Sequence, residues 1–240
     1  MEFSRLEVEG IELSKRKLLN IVNSHSLSWD NPVMPTISGM RNKGITPDIL
    51  IEFIMKCGYS KVNSTIPMSS LNESIRNGLK KAERIFALID PIELKFNSNN
   101  FAESVLIDKS DVMEIPHDDF WRVYPGNWTR LKHGINFLTS KVDENTVYAE
   151  VDEASIDMKN AKAKAKVAIH WLKKENATKI TLKIYESLIL NGEYNSNCIS
   201  SKEILIDSSY KTNTLYEFER YGYVYIDNNN HAHLLSLLNR

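Results

Sequence analysis

Lys81-Ala82-Glu83-Arg84-Ile85-Phe86-Ala87-Leu88-Ile89-Asp90-Pro91 is the stretch at which the hydrophobic period of this 240-residue chain changes. Before it, apolar residues recur three and four positions apart, as on helices with one buried face. From Arg84 to Asp90 they form a compact β-type block that Pro91 stops, and residues 92–96 read as a neighbouring strand. The chain thus holds a helical part and a strand part in series, and its expected fold class is α+β.

Upstream, Thr46-Pro47-Asp48 supplies a cap, a first-turn proline and a first-turn acid. Ile49, Leu50, Phe53, Ile54 and Cys57 follow at helical spacing until Gly58 ends the run. Ser70-Leu71-Asn72-Glu73 reads as a capping box, which predicts a helix starting at Ser70 and passing through Ile75 and Leu79. Near the N-terminus, Ser14 can cap a helix whose first turn holds Lys15, Arg16 and Lys17, with Leu18, Leu19 and Val22 behind. Three cations there oppose the helix dipole, and a visiting phosphate would satisfy them.

Downstream, strands are predicted at residues 105–107, 135–139, 147–151, 165–172, 179–185, 204–206 and 221–226, with exposed loops at 97–100, 115–125 and 191–201. Many short strands with polar connections point to barrels or a sandwich. Lys162, Lys164 and Lys166 share one face of an extended segment, read first as a solvated face and second as an RNA-backbone rail. His170-Trp171 reads as barrel core, His231 and His233 as a surface pair, and Tyr221, Tyr223 and Tyr225 as strand packing.

A hydrophobic content of 42%, a charged content of 25% and a formal net charge of −1 describe a globular protein without a global attraction to nucleic acid. Any RNA binding has to come from local basic patches. Cys57 and Cys198 lack metal-ligand spacing, so no metal is expected and both read as thiols in a reducing compartment. No apolar run approaches the ~18 residues that span a bilayer, and no signal-peptide core opens the chain; a cytoplasmic protein is expected, with neither membrane nor DNA as a partner. No glycine-rich phosphate loop follows a strand.

Several segments, in order, carry a resemblance. Residues 1–6, Leu13-Ser14-Lys15-Arg16-Lys17-Leu18 and the run from Trp29 to Gly39 are similar to the second-signature region of class I glutamyl/glutaminyl-tRNA synthetases, the glutaminyl enzymes above all. Ile89-Asp90-Pro91, Trp128-Thr129-Arg130-Leu131, Ile169-His170-Trp171, Tyr185-Glu186 and Glu217-Phe218-Glu219-Arg220-Tyr221-Gly222 resemble that family's anticodon-binding barrels. The resemblance implies a second-signature loop and helical connecting domain over residues 1–82. Over residues 83–240 it implies mainly antiparallel anticodon-binding barrels, two in number and intertwined in sequence.

It further implies roles for named residues. Leu13, Ser14, Lys15 and Arg16 form the loop that meets ATP phosphates; Lys15 neutralises charge as an aminoacyl-adenylate forms and Ser14 supports the loop, so these two are the catalytic candidates. Arg84 and Glu217 face the middle anticodon uridine, with Glu217 standing where the family often has glutamine. Arg130 faces the third base, where a guanidinium fits guanine, and Arg220 completes the anticodon set. Leu138 stands at a usual first-base arginine, and Asn31, Val33 and Asn42 replace an aspartate and two arginines around the second signature.

The implied function is the tRNA-anticodon-binding C-terminal part of a glutamine–tRNA ligase. The chain lacks a His-Ile-Gly-His type signature, so alone it is expected to bind tRNA without charging it. ATP and magnesium belong to the complete enzyme, neither held tightly here, and a separate N-terminal catalytic segment is the implied protein partner beside glutamine tRNA. Two other readings stay open: a fragment of a glutamyl-tRNA synthetase, and a free-standing, non-catalytic tRNA-binding module.

Overall fold

The computed structural model describes residues 4–58, 61–98, 104–113, 122–156, 164–165 and 167–238. It divides into two compact units, one of Met1–Arg84, Thr181–Lys202 and Lys211–Arg240, the other of Ile85–Ile180 and Glu203–Tyr210. Among the described residues the architecture is α+β, four α-helices with predominantly antiparallel, barrel-like sheets.

The first unit holds the helices, α1 (Lys15–His25), α2 (Ile37–Lys43), α3 (Pro47–Cys57) and α4 (Met68–Leu79). Helix α3 starts at Pro47, carries Asp48 in its first turn and ends at Gly58, as its sequence dictates. Helix α4 begins two residues before the expected capping box, with Pro67 at its N-cap and the Ser70 N–H donating to the Pro67 carbonyl at 3.0 Å. The proline's fixed φ already sets the entry to the helix, so Ser70 lies inside it. Ile49, Phe53, Leu71, Ile75 and Leu79 bury the facing stripes of α3 and α4 against Tyr223 and Leu235.

Those two residues come from an antiparallel meander of Thr214–Phe218, Gly222–Ile226 and His231–Leu237. The last strand also pairs in parallel with Thr181, Leu182 and Lys183. Leu6–Val8 and Ser64–Ile66 form a short parallel ribbon. The region 191–201, expected as a loop, instead contains a hairpin of Ile189–Leu190 and Glu193–Tyr194 and the start of a strand at Ile199. Asn191 (φ 52°) and Gly192 (φ 86°) close the hairpin, the left-handed pair that a two-residue turn requires.

The run Trp29 to Gly39 folds on itself through short polar contacts. Asn31 Oδ1 accepts from the Val33 N–H (3.1 Å), Thr36 Oγ1 donates to the Trp29 carbonyl (2.6 Å) and accepts from the Gly39 N–H (2.9 Å), capping α2. Gly39 is required there: a Cβ would lie 2.3 Å from the Met34 carbonyl oxygen and 2.6 Å from that of Asn31.

The second unit contains a seven-stranded sheet in the order Ala168–Ile169, Trp128–Leu131, Asn136–Asp143, Thr146–Val151, Pro91–Phe96, Val105–Asp108, Trp171–Lys173. The first and last strands of that order are separated in the chain by His170 alone, so the sheet curls nearly closed. Alternate residues point inward, Leu94, Ile107, Leu131, Phe137, Val147 and Ile169 among them. Two expected strands are interrupted, one at Phe86 and one at His170. The two rings stack at 4.6 Å between centroids, and each residue leaves its ladder to do so.

Candidate functional site

The loop before α1 is organised by Glu12. Its Oε1 accepts from the Ser14 N–H and its Oε2 from Lys17 Nζ, both at 2.8 Å. The hydrogen bond from Lys17 holds the carboxyl below the usual glutamate range. The first turn of α1 contains no acid, so Glu12 is the nearby charge that offsets its cations. Lys17 is thereby engaged, whereas Lys15 and Arg16 are exposed and make no hydrogen bond or ion pair among the described residues. Ser14 occupies the N-cap position without a side-chain capping bond, and Leu13 is half-buried beside it. Glu12, Ser14, Lys17, Arg5, Glu7 and Thr65 border a cavity of about 450 Å³. The stabilising role of Glu12 was open to sequence reading, because an acid five residues before a lysine at a helix start can fold back onto it. Nearby, Asn42 Nδ2 donates to the Asp30 carbonyl (2.7 Å), tying α2 to the preceding turn.

In the same unit Arg84 and Glu217 meet. Arg84 lies on the strand Glu83–Ile85, Glu217 on Thr214–Phe218, and Arg84 Nε donates to Glu217 Oε2 at 3.1 Å. Glu217 is buried, while the Arg84 side chain is 60% exposed, so the guanidinium presents its terminal N–H groups outward. Across the meander Glu217 faces Tyr223, whose phenol is pushed up by burial and by the adjacent carboxylate. A donor and an acceptor side by side, backed by an aromatic ring, can read a base edge. Arg220 lies in the turn that follows Glu217 and adopts φ 67°; the Tyr221 N–H donates to the Phe218 carbonyl (2.9 Å), closing that turn.

Arg130 belongs to the second unit. It sits on Trp128–Leu131 and its Nε donates to the Gly134 carbonyl (3.3 Å), which fixes the guanidinium over the turn at 131–135. Leu138, at the position of an expected first-base arginine, is the cross-strand partner of Trp128. Of the three alternating lysines, Lys162 and Lys166 lie outside the described residues. Lys164 is bonded to Asp152 (2.9 Å) and stands 4.7 Å over the Trp128 ring.

One constellation escaped the sequence reading. His233, expected on the surface, is buried, and its Nδ1 lies 2.6 Å from Tyr185 Oη while its Nε2 lies 3.1 Å from Asp227 Oδ2. Asp227 also accepts from the N–H groups of Asn229 and His231, both at 2.8 Å. The carboxylate therefore accepts a hydrogen bond from Nε2–H, and Nδ1 accepts one from the tyrosine hydroxyl. The three residues come from two distant segments, so no local spacing marked them. Among the described residues, no group of three or more His, Cys, Asp or Glu is placed to hold a metal ion, and no helix is long and apolar enough to cross a membrane.

The chain is similar to known proteins. Residues 168–227 match the family described as tRNA synthetases class I (E and Q), anti-codon binding domain. All of the chain aligns with the glutamine–tRNA ligase of Neisseria meningitidis at 31% identity, covering 52% of that protein. The glutamine–tRNA ligase of Enterobacter sp. is 29% identical over 94% of this chain and 49% of its own length; that of Clostridium perfringens is 29% identical over 95% and 50%. The chain thus spans about half the length of the curated relatives it matches, their C-terminal half.

Proposed function

We propose, from a chain that carries the anticodon-binding domain of the class I E and Q tRNA synthetases and matches the C-terminal half of glutamine–tRNA ligases, that this protein reads the anticodon of glutamine tRNA. It does so as part of an ATP-dependent ligase that joins glutamine to that tRNA. The observation that carries the reading is the Arg84–Glu217 pair. Glu217 accepts from uracil N3–H and Arg84 donates to the adjacent O4; in the same orientation cytosine reverses both partners. Arg220 supports the anticodon set from the following turn, and Arg130 donates to the third-base guanine. Residues 1–82 serve as the signature loop with its helical connection, residues 83–240 as the reading barrels.

For ATP, the donor set fits. Lys15 and Arg16 are exposed cations free of carboxylate partners among the described residues, and they would hold the phosphates, with Ser14 at the base of the loop. ATP supplies activation of the amino-acid carboxyl; Lys15 contributes positive charge where negative charge develops, while Glu12 keeps the loop in place through Ser14 and Lys17. The described residues offer no ligand cluster for magnesium, and none is assigned to it. The chain's proposed setting is the cytoplasm, and its protein partner is a segment carrying the nucleotide-binding fold.

Nuclease footprinting of glutamine tRNA on the purified chain tests this reading. Protection of the anticodon loop, above all its three anticodon nucleotides, is the expected result. Protection spread over the helical stems with the anticodon still cleaved would overturn it.

A further inference from the structure

RNA reading leaves one cavity of the first unit unused. It measures about 330 Å³, within the size range of small-molecule sites, and Met34, Met40, Met68, Leu71, Ile75 and Leu235 supply its apolar wall. Three of these are methionines, whose unbranched thioethers adapt to a guest's shape. Three polar side chains on the wall are already engaged, whereas those of Glu9, Asn72, Glu186 and Lys43 make no hydrogen bond or ion pair among the described residues. The Ser187 hydroxyl lies 2.7 Å from the Gly10 carbonyl, the Tyr185 hydroxyl is bonded to His233, and Glu12 holds Lys17.

Lys43, the last residue of α2, is the one of these unpartnered groups that carries positive charge. Its ammonium stands 4.8 Å from the centroid of the Tyr185 ring and makes no hydrogen bond or ion pair among the described residues. Burial pushes it down to about 8, the mark of a dehydrated cation that no anion compensates.

We infer that this cavity binds a small monocarboxylate with an apolar body, the carboxylate on Lys43 Nζ and the hydrocarbon along Met34, Met40 and Met68. A charge-assisted bond to an anion returns to Lys43 the stabilisation that its dehydration removes, and the Tyr185 face already holds the cation in place. A single negative charge is specified because Glu9, Glu12 and Glu186 line the same cavity and oppose a dianion such as phosphate. The wall excludes a small polar acid, which would leave the methionines facing water.

Binding also couples to protons. A bound carboxylate raises the Lys43 pKa, so near pH 8 the complex takes up protons. The other titratable groups of the cavity are Glu9, Glu12, Glu186 and Tyr185, with His233 behind the phenol.

Calorimetric titration of the whole chain with octanoate and with octanol tests the inference. Octanoate is expected to bind at one site per chain, with a heat that varies with the ionisation enthalpy of the buffer near pH 8. Lys43→Met is expected to weaken octanoate by about tenfold or more, to abolish the proton uptake, and to change octanol binding by less than about twofold. Lys43→Gln gives the same readout if Lys43→Met melts early. No octanoate binding by the folded wild-type chain, or equal binding of octanoate by wild type and Lys43→Gln without proton uptake, overturns it.

Discussion

Arg84 and Glu217 are separated by 133 positions in sequence and by 3.1 Å in space, a buried carboxylate holding the inner nitrogen of an outward-facing guanidinium. The pair contributes little to stability, because Arg84 is largely exposed and water replaces its partner. Glu217→Leu also takes the acceptor from the buried Tyr223 hydroxyl, so it is expected to shift unfolding by about 1–3 kcal/mol while removing discrimination at the middle anticodon base. Denaturant unfolding and tRNA titration of the same variant separate the two effects.

Gly39→Ala is expected to be far more damaging than its size implies. The new methyl group meets two backbone oxygens, at 2.3 and 2.6 Å, and neither can move without opening the turn that Thr36 and Asn31 hold. A loss of about 1–3 kcal/mol is expected from urea unfolding.

Lys15→Ala is expected to lower charging by about 100-fold when the chain is combined with a nucleotide-binding segment from a glutamine–tRNA ligase. Affinity for tRNA is expected to stay within about twofold, since Lys15 is remote in sequence from the anticodon set and acts on phosphates. Charging assays and equilibrium binding on one preparation check both halves.

Acid should destabilise the chain in two steps that the Tyr185–His233–Asp227 array explains. Burial of His233 depresses its pKa below 6.5, so the unfolded chain binds the extra proton first and stability falls as pH drops through 6.5 toward the lowered value. For Asp227, burial pushes upward, but the hydrogen bonds from His231, His233 and Asn229 win and hold the carboxyl below 3.8; its contribution is present above 3.8 and lost below. Lys183 and His231 add to the depression of His233. His233→Gln is expected to abolish the first step in thermal melts between about pH 7.5 and 5.5 and to shrink the second, because Asp227 loses the imidazole contact but keeps the N–H groups of Asn229 and His231.

Local chemistry made α3 legible, since Pro47, Asp48 and Gly58 each act within one turn. It misplaced the start of α4 because Pro67, not Ser70, fixes the entry. The breaks at Phe86 and His170 were hidden for another reason: each residue alone fits a strand, and only their stacking across the barrel removes them from it. The site divides the same way. The proposed roles of Lys15, Arg84, Arg130, Glu217 and Arg220 come from the order of motifs along the chain. Lys43 and the Tyr185–His233–Asp227 array depend on segments brought together by folding, and no spacing in the sequence announces them.

The most direct measurement is the affinity of the purified chain for glutamine tRNA carrying either uridine or cytidine at the middle anticodon position, taken across a range of salt concentrations. Reading by Arg84 and Glu217 predicts that cytidine weakens binding by about tenfold or more at every salt concentration, a base-edge effect on top of a common phosphate slope. Equal affinities with the same steep salt dependence would mean that the chain holds only the RNA backbone, and would contradict the account.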